Sequence, residues 1–219
     1  MKAQILLSLI NLFVVKAYSP LSPQNSPPLT SRRNIFASAV TLATSAVLLD
    51  PTIAGAAEEL TKFQDEQCKF TLSLPSWERS EQQLPDRRKI VLYVKPDSDK
   101  KTLLSLVYTP VRADFTSLGS FGSVDEVAQA TILPKSTLAG KDEIESKMLS
   151  AESKKQAYFF DYTQKVPGQP QTRFRTIFAL ANGATGGAGS VLVSITAQTP
   201  EADYETIKPL FDEIIESYK

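Results

Sequence analysis

From residue 68 onward the chain alternates apolar and polar positions in short runs separated by turn-forming clusters. Cys68, Phe70, Leu72 and Leu74 share one face of a strand, which Pro75 ends and Trp77 follows in a turn. A polar stretch over residues 78–89 leads to a buried strand at 90–94. Residues 95–101 form a turn and 102–109 the next strand, so this pair reads as a hairpin. After a loop at 119–122, Ser123 and Glu126 have the spacing of a capping box and predict a helix over 124–132, before Pro134. Residues 144–151 and 156–166 read as two strands joined by a polar turn at 152–155, with Tyr158, Phe160 and Tyr162 on one face. Phe174, Thr176, Phe178 and Leu180 share a face of a strand over 173–181, and the Val- and Ile-rich stretch 190–198 reads as another. Last, Tyr204, Ile207, Phe211, Ile214 and Tyr218 recur at helical spacing, with Pro209 inside the pattern and expected to kink or split it.

This order gives about six strands with few intervening helices and no internal repeat. Strands joined by short turns are antiparallel. The expectation is an α+β fold, an antiparallel β-sheet sandwiched by helices.

Two leader segments precede the folded part. Residues 1–17 carry Lys2, an apolar run of eleven residues from Ile5 to Val15, and a close at Lys16-Ala17, the parts of a signal peptide. A run that short falls well below the roughly 20 apolar residues that span a bilayer core. Residues 18–56 begin with a Pro-, Ser- and Thr-rich stretch and continue through Ser31-Arg32-Arg33 and a chargeless segment to Ala54-Gly55-Ala56. The junction Ala17-Tyr18-Ser19-Pro20 resembles the cleavage motif of bipartite presequences in algae with secondary plastids. The second segment resembles a twin-arginine export signal with its processing site, which in a plastid addresses the thylakoid lumen. The expected organisation is a signal peptide at 1–17, a plastid transit segment plus twin-arginine lumenal signal at 18–56, and one domain at 57–219.

Composition narrows the chemistry. The chain has 24 basic and 24 acidic residues. The leader holds four of the former and one of the latter, so the domain carries 20 against 23 and gives no reason to propose nucleic acid as a partner. There is no histidine, which excludes Ser-His, Cys-His and His-zinc chemistry. The single cysteine, Cys68, has no internal partner for a disulfide and reads as a buried thiol. The domain is therefore expected to bind rather than catalyse.

Few constellations could carry chemistry. The glycine-rich stretch 182–189 is followed by a β-branched strand and has no lysine near it, so it reads as a hairpin connection and not a phosphate loop. Asp97 and Asp99 offer two hard oxygen ligands to calcium, but the pattern stops there, and Lys95, Lys100 and Lys101 crowd the pair. A solvated turn outweighs a metal site. Arg87-Arg88-Lys89 and Lys100-Lys101 are basic clusters expected to meet at one end of the first hairpin, as a docking edge or as charges that guard a strand end.

The residues that carry a family resemblance run from about Phe63 to Tyr218. They include Phe70-Thr71-Leu72-Ser73-Leu74-Pro75-Ser76-Trp77, the helix start Phe121-Gly122-Ser123-Val124-Asp125-Glu126-Val127, the aromatic strand Ala157-Tyr158-Phe159-Phe160-Asp161-Tyr162, the stretches 173–183 and 191–197, and Ser217-Tyr218. In this order they resemble the PsbP family of thylakoid-lumen proteins. The resemblance implies an α/β/α sandwich of PsbP/Mog1-like type and a non-enzymatic, lumen-facing subunit or assembly helper of photosystem II, peripheral to the thylakoid membrane. In the family this role includes help in retaining calcium and chloride at the oxygen-evolving manganese cluster, so calcium is the one cofactor expectation. Arg87, Arg88, Lys89, Lys100 and Lys101 would then meet acidic loops of the photosystem or of another thylakoid complex, or anionic lipid heads. The chain departs from the family in lacking its histidine metal ligands and in having a short, acidic segment at 57–67 in place of a longer lysine-rich arm. Both departures favour a PsbP-like or PsbP-domain paralogue. Two further readings are a small-molecule or lipid-binding module with an apolar pocket under Tyr158, Phe160 and Tyr162, and a histidine-free carboxylate enzyme.

Overall fold

The computed structural model describes residues 58–96, 98, 99, 101–132, 144–182 and 189–219. Residues 1–57, where the leader segments are expected, Asp97, Lys100 and the stretches 133–143 and 183–188 lie outside the described residues. Among those residues the chain forms nine strands: β1 (Leu60–Asp65), β2 (Phe70–Pro75), β3 (Glu78–Gln83), β4 (Lys89–Val94), β5 (Leu103–Val111), β6 (Glu145–Lys154), β7 (Ala157–Lys165), β8 (Thr172–Asn182) and β9 (Ser190–Pro200). Helix α1 (Val124–Val127) runs on into a π turn at Ala128–Ile132, and helix α2 (Tyr204–Glu216) closes the chain.

Seven strands build one antiparallel sheet in the order β3-β4-β5-β9-β8-β7-β6, while β1 and β2 form a separate two-stranded sheet. Two meanders, β3 to β5 and β6 to β9, meet where β5 pairs with β9. The crossover between them carries the chain from β5, through α1, to the far edge at β6. The turns follow local chemistry. Pro167 and Gly168 stand at the centre of a turn in which Gln169 N–H donates to the Val166 carbonyl, and Gly168 supplies the positive φ of 77°. The β6–β7 connection is a two-residue loop, Lys155-Gln156, with φ of 51° and 57°, which marks a type I′ hairpin built without glycine.

Each face of the large sheet packs its own core. On one face Val91, Tyr93, Leu104, Leu106, Phe159, Ile177, Val193 and Ile195 meet Phe70, Leu72 and Leu74 of β2 and Phe211, Ile214 and Ile215 of α2. Phe211 and Ile214 are fully buried, and each contributes about 2 kcal/mol of apolar burial. On the other face Tyr158, Phe160, Tyr162, Phe178 and Leu192 meet Val127, Ala128 and Ile132. The sheet is antiparallel throughout, as expected. Its cover is less helical than two complete layers: a hairpin and one thirteen-residue helix on one face, and a four-residue helix with a π turn on the other.

Three expectations are corrected. Strands β1 and β3 stand where the sequence reads as polar leader and polar connection, because both lie at sheet edges and β3 is exposed at every position. Helix α2 is continuous through Pro209. Pro209 is exposed, on a side of the helix where water can reach the carbonyl its missing N–H leaves open. The helix expected over 124–132 holds its capping box, with Ser123 N–H donating to Glu126 Oε2 at 2.7 Å, but changes from α to π after Val127.

Candidate functional site

The β4–β5 hairpin decides where the expected docking residues lie. Lys89 pairs with Tyr108 and Val94 with Leu103. Arg87, Arg88 and Lys89 therefore stand at one end of the hairpin and Lys101 at the other, about 17 Å apart at a rise of roughly 3.3 Å per residue. They do not meet, which corrects the single basic edge expected from sequence.

Within the first cluster the three side chains differ. Arg88 is buried, and its Nε donates to Asp86 Oδ2 at 2.6 Å. Lys89 is half-buried, bridges Glu81 at 3.0 Å and lies over the Tyr108 ring at 5.6 Å. Bonds from Lys89 and Arg79 hold the Glu81 carboxyl below its ordinary range. Arg87 alone projects outward, from a turn where its φ is 67°. At the opposite end Asp99 is exposed, has a φ of 48° and meets Lys101 at 3.6 Å. Its expected calcium partner, Asp97, lies outside the described residues, as does Lys100. No group of three or more His, Cys, Asp or Glu side chains among the described residues could hold a metal ion.

Sequence reasoning missed two polar nodes. At the start of the domain, Trp77 Nε1 donates to Glu58 Oε2 at 2.7 Å, Lys95 bridges the same carboxylate, and the Lys95 ammonium lies 5.7 Å from the indole centroid. Thus Glu58 is fastened to the end of β4. The second node joins β7, β8 and the start of α2. The Arg173 fork donates to both oxygens of Asp161, at 2.5 and 2.8 Å, and to Glu201 at 3.2 Å. Its guanidinium lies 4.3 Å from the Tyr204 ring centroid, and Arg175 bridges Asp212 nearby. Charge alternation in β8 was the available signal, but only pairing brings Arg173 opposite β7.

Tyr158, Phe160 and Tyr162 are core side chains, and of the three only Phe160 borders a groove, a small one. Tyr162 stacks on Phe174 at 5.0 Å, Phe160 meets Phe178 edge-on at 5.5 Å, and Tyr158 donates to the Gly122 carbonyl at 2.9 Å. Burial pushes the Tyr162 hydroxyl up to about 12. A groove between β6, β7 and α2 measures about 50 Å³, far below the few hundred Å³ of a ligand site. A larger hollow, about 340 Å³, lies open beside the β1–β2 turn and is lined by Gln64, Asp65, Glu66, Lys69, Phe70 and Thr71. At that turn Cys68 is half-buried, and its N–H donates to Asp65 Oδ1 at 2.7 Å. Burial, reinforced by Asp65, pushes the thiol from 9.0 up to about 12, so it is a poor nucleophile at neutral pH. Among the described residues no helix is long and apolar enough to cross a membrane.

The profile of the PsbP family matches residues 58–219, and the chain belongs to that family. It is 22% identical over 171 residues to PsbP domain-containing protein 3, chloroplastic, of Arabidopsis thaliana, a match that covers 75% of this chain and 66% of that relative's length. Its fold is similar to the solution structure of cyanobacterial PsbP (CyanoP) from Synechocystis sp. PCC 6803, with a TM-score of 0.55 at 17% identity, over 78% of this chain and 98% of that one.

Proposed function

We propose that this PsbP-family chain is an extrinsic protein of the thylakoid lumen that docks on the lumenal face of photosystem II, as a subunit or assembly factor of the oxygen-evolving machinery. The observation that carries the proposal is the family match beginning at residue 58, directly after a segment that reads as a two-part leader ending in Ala54-Gly55-Ala56. The chloroplastic relative supports a plastid address. The α/β/α layering that the family implies would rest on α2 over one face and the α1 segment over the other. A binding role also fits a chain with no histidine and a weakly reactive thiol.

Among the described residues Arg87 and Lys101 are the docking candidates with exposed charge, one at each end of the β4–β5 hairpin. Arg88 serves the fold through Asp86, and reversing it would set two carboxylates against each other. Docking through exposed charge is salt-labile, because the screening length falls from about 10 Å at 0.1 M to about 3 Å at 1 M. Any calcium held at Asp97 and Asp99 binds with a dissociation constant on the order of 10⁻⁴ M or weaker.

The test is washing lumen-exposed thylakoids with 1 M salt and rebinding the released protein, alongside native gels with immunodetection. Release by salt, co-migration with photosystem II before it, and weakened rebinding of Arg87→Glu are expected. Retention through the wash, or co-migration with a different complex, would sink the photosystem II reading.

A further inference from the structure

Among the described residues the large sheet has two free edges, β3 and β6. A free edge presents unpaired N–H and C=O groups, and charge, bulges or a partner strand deal with it. Strand β6 carries both charge and a bulge, arranged in an unusual way. Met148 pairs with Tyr162 and Ser150 with Asp161, so Leu149 is the extra, unpaired residue of a bulge. At 41% exposure it is the large apolar side chain left open among the described residues.

Two copies of one strand can pair antiparallel about a two-fold axis perpendicular to the sheet only if each residue meets a partner on the same face. Counted with Leu149, the end-to-end register of β6, Glu145 against Lys154, fails this condition. Counted with the bulge as a single position, it satisfies the condition at Ser150, which then faces its own copy. Glu145 then meets Lys154, Lys147 meets Glu152, Ser146 meets Ser153, and Met148 meets Ala151. Glu145, Lys147, Glu152 and Lys154 are all exposed and lie on the same face as Ser150, as their partners on β7 show. Every charge meets its opposite, and the small and apolar pairs share the other face. The bulge that keeps straight strands away recurs at the same place in a second copy, with Leu149 of both chains beside the axis.

We propose that β6 is a self-complementary edge through which two copies of this chain join their sheets into one continuous antiparallel sheet. The contact is about ten residues long and depends on exposed charge, so association is weak, reversible and salt-sensitive.

Sedimentation velocity of the full chain over a wide concentration range reads it directly. The parent should form a concentration-dependent dimer. Lys147→Glu and Glu152→Lys should each weaken it about tenfold, since like charges directly opposite repel. The double exchange Lys147→Glu with Glu152→Lys should restore it. In a Cys68→Ser background, Ser150→Cys should form a disulfide dimer on mild oxidation, because opposed antiparallel residues stand about 4.5–5.5 Å apart between Cα atoms. Ser80→Cys on the other edge should not. A chain that stays monomeric, a dimer indifferent to both single reversals, a double exchange that fails to restore it, or cross-linking through Ser80 in place of Ser150 would each overturn the proposal.

Discussion

The ammonium of Lys155 donates to the main-chain carbonyl of Glu216 at 2.9 Å, across 61 residues of sequence. It also reaches the Tyr218 carbonyl at 3.1 Å. The β6–β7 turn thus supplies a cation to the C-terminal end of α2, whose last turn carries no basic residue of its own. Positive charge is favourable there because the last carbonyls of a helix point their negative ends outward. Lys155→Met keeps the stem and removes the charge. It should lower stability by about 0.5 kcal/mol at low salt, and by less in 1 M salt. Urea unfolding at two ionic strengths measures both.

The same turn holds a second lever. Gln156 has a φ of 57° in a loop that favours glycine or asparagine. Gln156→Gly should raise stability by about 1 kcal/mol, since a side chain in the left-handed region costs on the order of 1–2 kcal/mol and glycine's greater freedom in the unfolded chain offsets part of the gain. A fall in the melting temperature of this variant would show that the loop is not strained.

Arg173 is the hinge pin of the node at the base of α2. Arg173→Met leaves the largely buried Asp161 carboxylate without its two donors. The expected loss is about 3 kcal/mol, at the lower end for a broken buried pair because both side chains retain some exposure. Arg173→Lys should recover only part of it, since an ammonium lacks the planar fork. Hydrogen exchange should then rise first in α2.

Cys68 makes a pH prediction. Its thiol ionises near 9.0 when unperturbed and near 12 in the fold, because burial disfavours the thiolate. Below about pH 9 both states keep the proton and the thiol has no effect on stability. As pH rises from 9 towards 12 the unfolded chain loses the proton first, so stability falls. Cys68→Ser should remove that part of the alkaline decline. Native Cys68 should also label slowly with a disulfide reagent at pH 8 and rapidly in urea. Equal rates would mean an open thiol.

The strands with an apolar face were readable in the sequence, β2, β4, β5 and β7 to β9 above all, because burial on one side imposes a period of two. Strands β1 and β3 were not. Edge strands gain their pairing from a neighbour's backbone, and nothing requires their side chains to alternate. The stripe of α2 was readable for the same reason as the strands, and its unbroken passage through Pro209 was not, because that depends on which side of the helix meets water.

By itself the sequence determined the class of the molecule: an antiparallel α+β domain, without histidine, in the PsbP family. Local patterns suffice there, since hydrophobic period, caps and motifs act over a few residues. The tertiary structure alone decided which charges belong together. It set Arg88 against Asp86 and Arg173 against Asp161, and joined Glu58 to Trp77 and Lys95. It also placed Arg87, Arg88 and Lys89 at the opposite end of one hairpin from Lys101. The physical reason is register. A charge is free or spent according to what lies opposite it, and strand pairing sets that partner across tens of residues of chain.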